Sequence, residues 1–180
     1  MDKVKTNLRP KRVFAFIDSQ NLHLGVQSAG WKLDFRKFRL YLKNKYQVSK
    51  AYLFIGQVPG NEAMYAHLQE MGNILVFKPT MQYKKAGKIK TKGNVDAEVV
   101  LYASAITFSD YDHAIIVSGD GDFHCLIEFL ENKGKLLKLM TPNDHYSSLL
   151  RRFSSKIVRV DQLKSALELK KTGIGGRSKP

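Results

Sequence analysis

The chain has 180 residues, and its 30 Lys and Arg against 16 Asp and Glu give a formal net charge of +14, which favours a polyanion as partner. That length allows one domain with a core of its own, and an apolar share of 43% excludes a disordered chain. A single cysteine excludes an internal disulfide and a cysteine-rich zinc site, and no apolar run suits a signal peptide or a bilayer span, so a cytoplasmic protein without a membrane partner is expected.

Residues 1–11 are polar and basic and read as an N-terminal arm. Arg12–Ile17 is a short apolar run rich in β-formers, and it reads as a buried strand that ends at Asp18. Asn21 then falls in the first turn of the following helix, where its amide can hold Asp18 or touch a ligand. Leu33–Tyr46 reads as an amphipathic helix with Arg36, Lys37, Arg39, Lys43 and Lys45 outward. Val48–Val58 is a second strand, Glu62–Met71 a helix, and Ile74–Phe77 a third strand.

Composition then changes. Residues 78–93 carry six lysines, Lys78, Lys84, Lys85, Lys88, Lys90 and Lys92, with two glycines and no acid. The segment is read as a mobile loop and one wall of a basic groove that contacts phosphates. The plain alternative is a solvated connector. Val95–Phe108 is a helix with Asp96 and Glu98 in its first turn, where acids also suit the helix dipole. His113–Val117 is a strand, and Phe123–Asn132 a helix carrying Cys125, expected as a buried reduced thiol. Leu136–Met140 is a fifth strand, and Thr141–Asp144 a turn and cap. His145–Phe153 is a short helix, Lys156–Val160 a last strand and Asp161–Lys170 a last helix. Residues 163–180 are taken as a helix end followed by a flexible basic tail.

The most informative stretch is Ile115–Phe123. Its apolar strand runs into Ser118-Gly119-Asp120-Gly121-Asp122, and a helical pattern follows. In open α/β sheets, ligands gather at the carboxyl ends of strands. Alternating strands and helices predict an α/β sandwich with a central, mainly parallel sheet. Right-handed crossovers place Asp18, Asp120 and Asp122 on one edge, within reach of Asp96. Carboxylates that converge there repel one another, and one or two Mg²⁺ or Mn²⁺ ions relieve the repulsion and activate a water. The plain alternative is that Asp18, Asp120 and Asp122 are helix caps and turn residues. His23 and His124 read as surface or capping residues, and His113 and His145 as structural ones.

Three segments, taken in order, resemble a known family. They are Phe16-Ile17-Asp18-Ser19-Gln20-Asn21-Leu22, Lys92-Gly93-Asn94-Val95-Asp96 and Val117-Ser118-Gly119-Asp120-Gly121-Asp122-Phe123, and Leu126–Gly134 also fits. Residues 12–162 resemble the NYN domains of the PIN-like nuclease superfamily, especially the LabA/DUF88-type group. Two departures stand out. Ser19-Gln20 replaces a common glycine, and Asn94 is an extra residue. Neither removes an acid. The resemblance implies a PIN-like three-layer α/β/α sandwich and a metal-dependent ribonuclease that leaves a 5′-phosphate and a 3′-hydroxyl. It assigns catalytic and metal-binding roles to Asp18, Asp96, Asp120 and Asp122, with Asp18, Asp96 and Asp120 on the principal ion. It assigns substrate or metal-water contact to Asn21 and Ser118. A homodimer stays open. A non-catalytic nucleic-acid-binding or regulatory module with the same fold is the alternative. A phosphohydrolase of small substrates ranks lower, because Gln20 stands where a D-x-D motif needs its second acid.

Overall fold

The computed structural model describes residues 10–79, 81–85, 88–92 and 95–170, with backbone only at 81–85 and 88–92. Six strands form one parallel sheet: β1 (Val13–Asp18), β2 (Val48–Gln57), β3 (Ile74–Pro79), β6 (His113–Val117), β7 (Leu136–Thr141) and β8 (Ile157–Arg159). Between β3 and β6 the chain forms β4 (Met81–Lys85) and β5 (Lys88–Lys92), an antiparallel pair outside that sheet.

The sheet order is β3-β2-β1-β6-β7-β8. The chain winds outward from β1 to β3, returns to β6 on the other side of β1, and winds outward again. The order reverses between β1 and β6. A crevice opens at such a switch point, beyond the carboxyl ends of the two strands. Asp18 is the last residue of β1, and Ser118 follows the last residue of β6.

Side-chain alternation along each strand separates two cores. Phe14, Phe16, Ala114 and Ile116 face one way, with Val99 of α4 (Asp96–Leu101) and Leu126, Ile127 and Leu130 of α5 (His124–Asn132). Val13, Ala15, Ile17, Ile115 and Val117 face the other. They meet α1 (Ser19–Ser28), α2 (Phe35–Tyr46), α3 (Glu62–Glu70) and α6 (Lys164–Leu167) through Leu22, Phe38, Leu68 and Leu167. Both faces are therefore covered. This explains why the central strands read as continuous apolar runs rather than alternating ones. The expected three-layer sandwich with a parallel sheet is the observed fold.

Several local expectations are corrected. The Lys-rich segment, read as a loop, contains the β4–β5 hairpin, in which Lys85 pairs with Lys88 across a two-residue connection. Its β-formers, Tyr83, Ile89 and Thr91, are interleaved with lysines that mask the strand signal. Helix α2 begins at Phe35 rather than Leu33, because the Asp34 side chain caps it and Leu33 bridges to Glu168. The helix over Val95–Phe108 is α4 followed by one π turn, Tyr102–Ile106. The segment read as a helix over His145–Phe153 is a 3₁₀ run, Ser148–Lys156. The last helix is a 3₁₀ turn followed by α6, which stops where Glu168 turns extended. Cys125 is exposed, not buried, because it falls on the outer face of α5.

Candidate metal centre at the sheet switch point

Each acid reaches the switch point by a different local device. In β1, alternation puts Asp18 on the side of Phe14 and Phe16, toward α4. Its Oδ1 accepts the Asn21 backbone N–H at 3.0 Å, so Asp18 is also the N-cap of α1. Asp96 lies in the first turn of α4, half-buried. Asp120 caps the short 3₁₀ turn Gly121–Phe123, and its Oδ1 accepts the Asp122 N–H at 3.0 Å. Asp122 is exposed in that turn.

Carboxylate oxygens of Asp96, Asp120 and Asp122 all lie within 4.8 Å of one another. Two oxygens on one octahedral Mg²⁺ are at most roughly 4.2 Å apart, twice the metal–oxygen distance. The spacing fits a shared ion after small side-chain rotations. Asp18 lies beside this trio, not within it. The expected grouping put Asp18, Asp96 and Asp120 on the principal ion, whereas the tightest set is Asp96, Asp120 and Asp122. Burial pushes the Asp18 carboxyl up to about 6, and the charges of Asp96 and Asp120 push the same way against the lowering effect of its backbone hydrogen bonds. Capping is real for Asp18 and Asp120 but is an incomplete explanation. A cap works as well when exposed, whereas a buried acid beside two others is held at a cost. Oxygen-only donors of this density suit a hard divalent cation, so the residues fit such an ion.

The remaining expected residues fall in two places. The Asn21 side chain lines the cleft, and its Oδ1 accepts the Gly119 N–H at 2.9 Å, which ties the end of β1 to the turn after β6. Ser118 is buried and its Oγ accepts the Asp120 N–H at 3.2 Å, so its visible role is to hold the acid turn. Glu98 pairs with Lys78 at 2.7 Å and stays out of the acid cluster. The side chains of Lys84, Lys85, Lys88, Lys90 and Lys92, with the groove wall and loop mobility expected of them, lie outside the described residues. On α2, two bases are spent on the fold. Arg39 donates to the Gly72 carbonyl at 3.0 Å, and Lys37 to that of Glu168 at 2.7 Å. His124 packs its ring near Phe153, and His23 is exposed on α1.

Asp18, Asp96 and Asp120 line a cleft of about 520 Å³. Its third wall, Pro142–Tyr146, was not anticipated from sequence. This segment is wedged between α1 and the acid turn. A Cβ on Gly25 would collide with the Pro142 ring, and one on Gly121 with Ser147. Ser147 N–H donates to the Gly119 carbonyl at 3.0 Å. The signal was Gly25, a glycine inside a helical pattern, which marks a close approach. His145, read as structural, lines this cleft. A larger and more apolar cleft lies across the first turn of α1, lined by Leu33, Leu53 and Met64. The acidic cleft is the candidate site because its titratable groups converge.

The NYN domain family model matches residues 12–161. This chain belongs to the NYN domain family. It is 25% identical over 167 residues to the Low amplitude and bright protein LabA of Synechococcus elongatus, covering 89% of each. A solved protein of unknown function from Vibrio parahaemolyticus shares the fold, with a TM-score of 0.70 and 23% identity over 93% of this chain and 99% of that one. NYN domains belong among the PIN-like nucleases, which generally use divalent metals, and the aspartate cluster is in place here. No helix among the described residues is long and apolar enough to cross a membrane.

Proposed function

We propose that this NYN-domain protein is a Mg²⁺- or Mn²⁺-dependent ribonuclease that hydrolyses RNA phosphodiester bonds in the switch-point cleft. The observation that carries the proposal is the convergence of Asp96, Asp120 and Asp122 beside the buried Asp18. Asp96, Asp120 and Asp122 would hold the ion, with Asp18 set to orient a second ion or an ion-bound water. Bound there, the ion supplies a Lewis acid for the phosphoryl group and an activated water.

The chain's own residues do the positioning. The Asn21–Gly119 hydrogen bond keeps the two acid-bearing strand ends at fixed spacing. The Ser118 hydroxyl orients the backbone that carries Asp120. Among the described residues, the cleft lining contains no lysine or arginine. Acids alone repel a phosphate backbone, so the basic segment at 78–93, joined directly to Asp96, would supply the offsetting charge.

The test is cleavage of 5′-labelled RNA with Mn²⁺ or Mg²⁺, wild type beside Asp120→Asn. Metal-dependent cleavage lost in the variant supports the proposal. Equal cleavage by both places the activity elsewhere. Salt-sensitive RNA binding with no cleavage by either supports the non-catalytic module instead.

A further inference from the structure

We propose that His145, oriented by Asp144, is the general acid that protonates the leaving 3′-oxygen when RNA is cut in this cleft. The inference rests on the ribonuclease reading. It goes beyond that reading, which gives the acids to the ion and the attacking water and names no proton donor for the leaving group.

The side chain is 87% exposed, yet its surroundings are built. His145 Nδ1 meets Asp144 Oδ1 at 2.6 Å. Asp144 is held in turn by Arg159, 3.5 Å away, and Arg159 forms a 2.6 Å ion pair with Asp161. The His145 backbone N–H donates to Asn143 Oδ1 at 2.8 Å. Asn143 Nδ2 donates to the Gly25 carbonyl of α1 at 2.7 Å. Two residues on, Ser147 N–H bonds the carbonyl of Gly119, beside Asp120. The segment that carries this exposed imidazole is thus tied to α1, the helix capped by Asp18, and to the turn that carries Asp120 and Asp122, and His145 lines the same cleft as Asp18, Asp96 and Asp120.

Nδ1 faces Asp144, so Nε2 is the nitrogen left for the cleft. An aspartate on Nδ1 fixes ring orientation and stabilises the imidazolium, the form with a proton on Nε2. The Asp144 carboxyl is itself held below its usual range, first by the His145 hydrogen bond and then by Arg159. It therefore stays a carboxylate at neutral pH and keeps its place as the acceptor on the ring. On its own side the ring has Asp144, with Arg159 and Asp161 behind it, and Tyr146; Asp18, Asp96 and Asp120 share the cleft lining with it, and Asp122 lies beside the last two.

The step balances. Water attacks phosphorus, the bond from phosphorus to O3′ breaks, and its electron pair stays on O3′. The Nε2 proton goes to O3′ and gives the 3′-hydroxyl. The proton lost by water passes to solvent, which reprotonates the ring. One water is consumed, and the products are a 5′-phosphate and a 3′-hydroxyl.

The experiment compares wild type, Asp120→Asn, His145→Ala and Asp144→Asn on RNA and on a nucleoside 5′-(4-nitrophenyl phosphate), whose leaving group departs without protonation. For His145→Ala we expect kcat on RNA to fall by roughly 10²- to 10⁴-fold with KM little changed. The fall in RNA rate on the alkaline side of the wild-type pH profile should also disappear. Cleavage of the aryl diester should stay within a few-fold of wild type. Asp144→Asn should show the same pattern, more weakly. An RNA kcat unchanged by His145→Ala overturns the inference. Equal losses on both substrates also overturn it, since leaving-group protonation is then not what was removed. Wild-type activity retained by Asp120→Asn overturns the ribonuclease reading itself. Loss in Asp120→Asn with no effect of His145→Ala overturns only the role of His145.

Discussion

Two demands meet at Asp18: it caps α1 through Asn21, and it is buried beside Asp96 and Asp120. A carboxyl raised to about 6 in the folded chain, against 3.8 for the free group, binds more protons folded than unfolded between those pH values. The linkage sign follows. Its contribution to stability is present below about pH 4 and is lost as pH rises through about 6. At pH 7 the ionised Asp18 therefore destabilises the metal-free protein, by up to about 1–3 kcal/mol. Asp18→Asn keeps an acceptor for the Asn21 N–H and removes the charge. Thermal melts at pH 7 without metal should show the variant with the higher Tm, and the difference should vanish near pH 4. A lower Tm for Asp18→Asn at pH 7 would mean that the buried charge is compensated in place. The wild type should also gain more Tm from Mn²⁺ than the variant does, because the ion is bound by the folded state alone.

At the scale of elements, the cleft depends on how closely Pro142–Ser147 packs on α1 and on the acid turn. Gly25→Ala drives a methyl group into the Pro142 ring. Overpacking of this kind typically costs about 1–3 kcal/mol, which for a chain this long lowers Tm by roughly 2–12 °C. The Asn143 bond to the Gly25 carbonyl should loosen too, so RNA cleavage should fall even where the variant remains folded at assay temperature. An unchanged Tm would show that the wedge yields freely. Strands β1 and β6 were legible in sequence because each is a short apolar run that stops at an acid or a Ser-Gly-Asp turn. The β4–β5 hairpin was not legible, because lysines occupy half of its alternation. The wall at Pro142–Tyr146 was not legible either. Its composition signals only a turn, and its place beside Gly25 and Gly119 is set by the crossover between β7 and β8. Of the acid set, the sequence named all four members. It did not distinguish the trio that meets within 4.8 Å from Asp18 alongside it, because that depends on side-chain reach across three separate elements.

At the scale of the whole molecule, a net charge of +14 surrounds a cleft whose described lining carries acids and one histidine but no lysine or arginine. The lysines at 84, 85, 88 and 90 stand on a hairpin that runs into Asp96. Replacing these four with alanine should weaken RNA binding regardless of sequence and flatten its salt dependence, by up to about one unit of slope for each phosphate no longer neutralised. Mn²⁺ affinity should hold, since no carboxylate is touched; unchanged RNA affinity and slope would make the hairpin a simple connector. Behind these expectations stands one claim, that the aspartates at the β1–β6 switch point form a divalent metal centre. Anomalous diffraction from crystals soaked in millimolar Mn²⁺ tests it most directly. The peak should lie among Asp96, Asp120 and Asp122, with oxygens at about 2.0–2.6 Å, and it should be absent from Asp120→Asn crystals. A cleft open to solvent in the lattice that shows no manganese, or manganese bound only elsewhere on the protein, would contradict the claim.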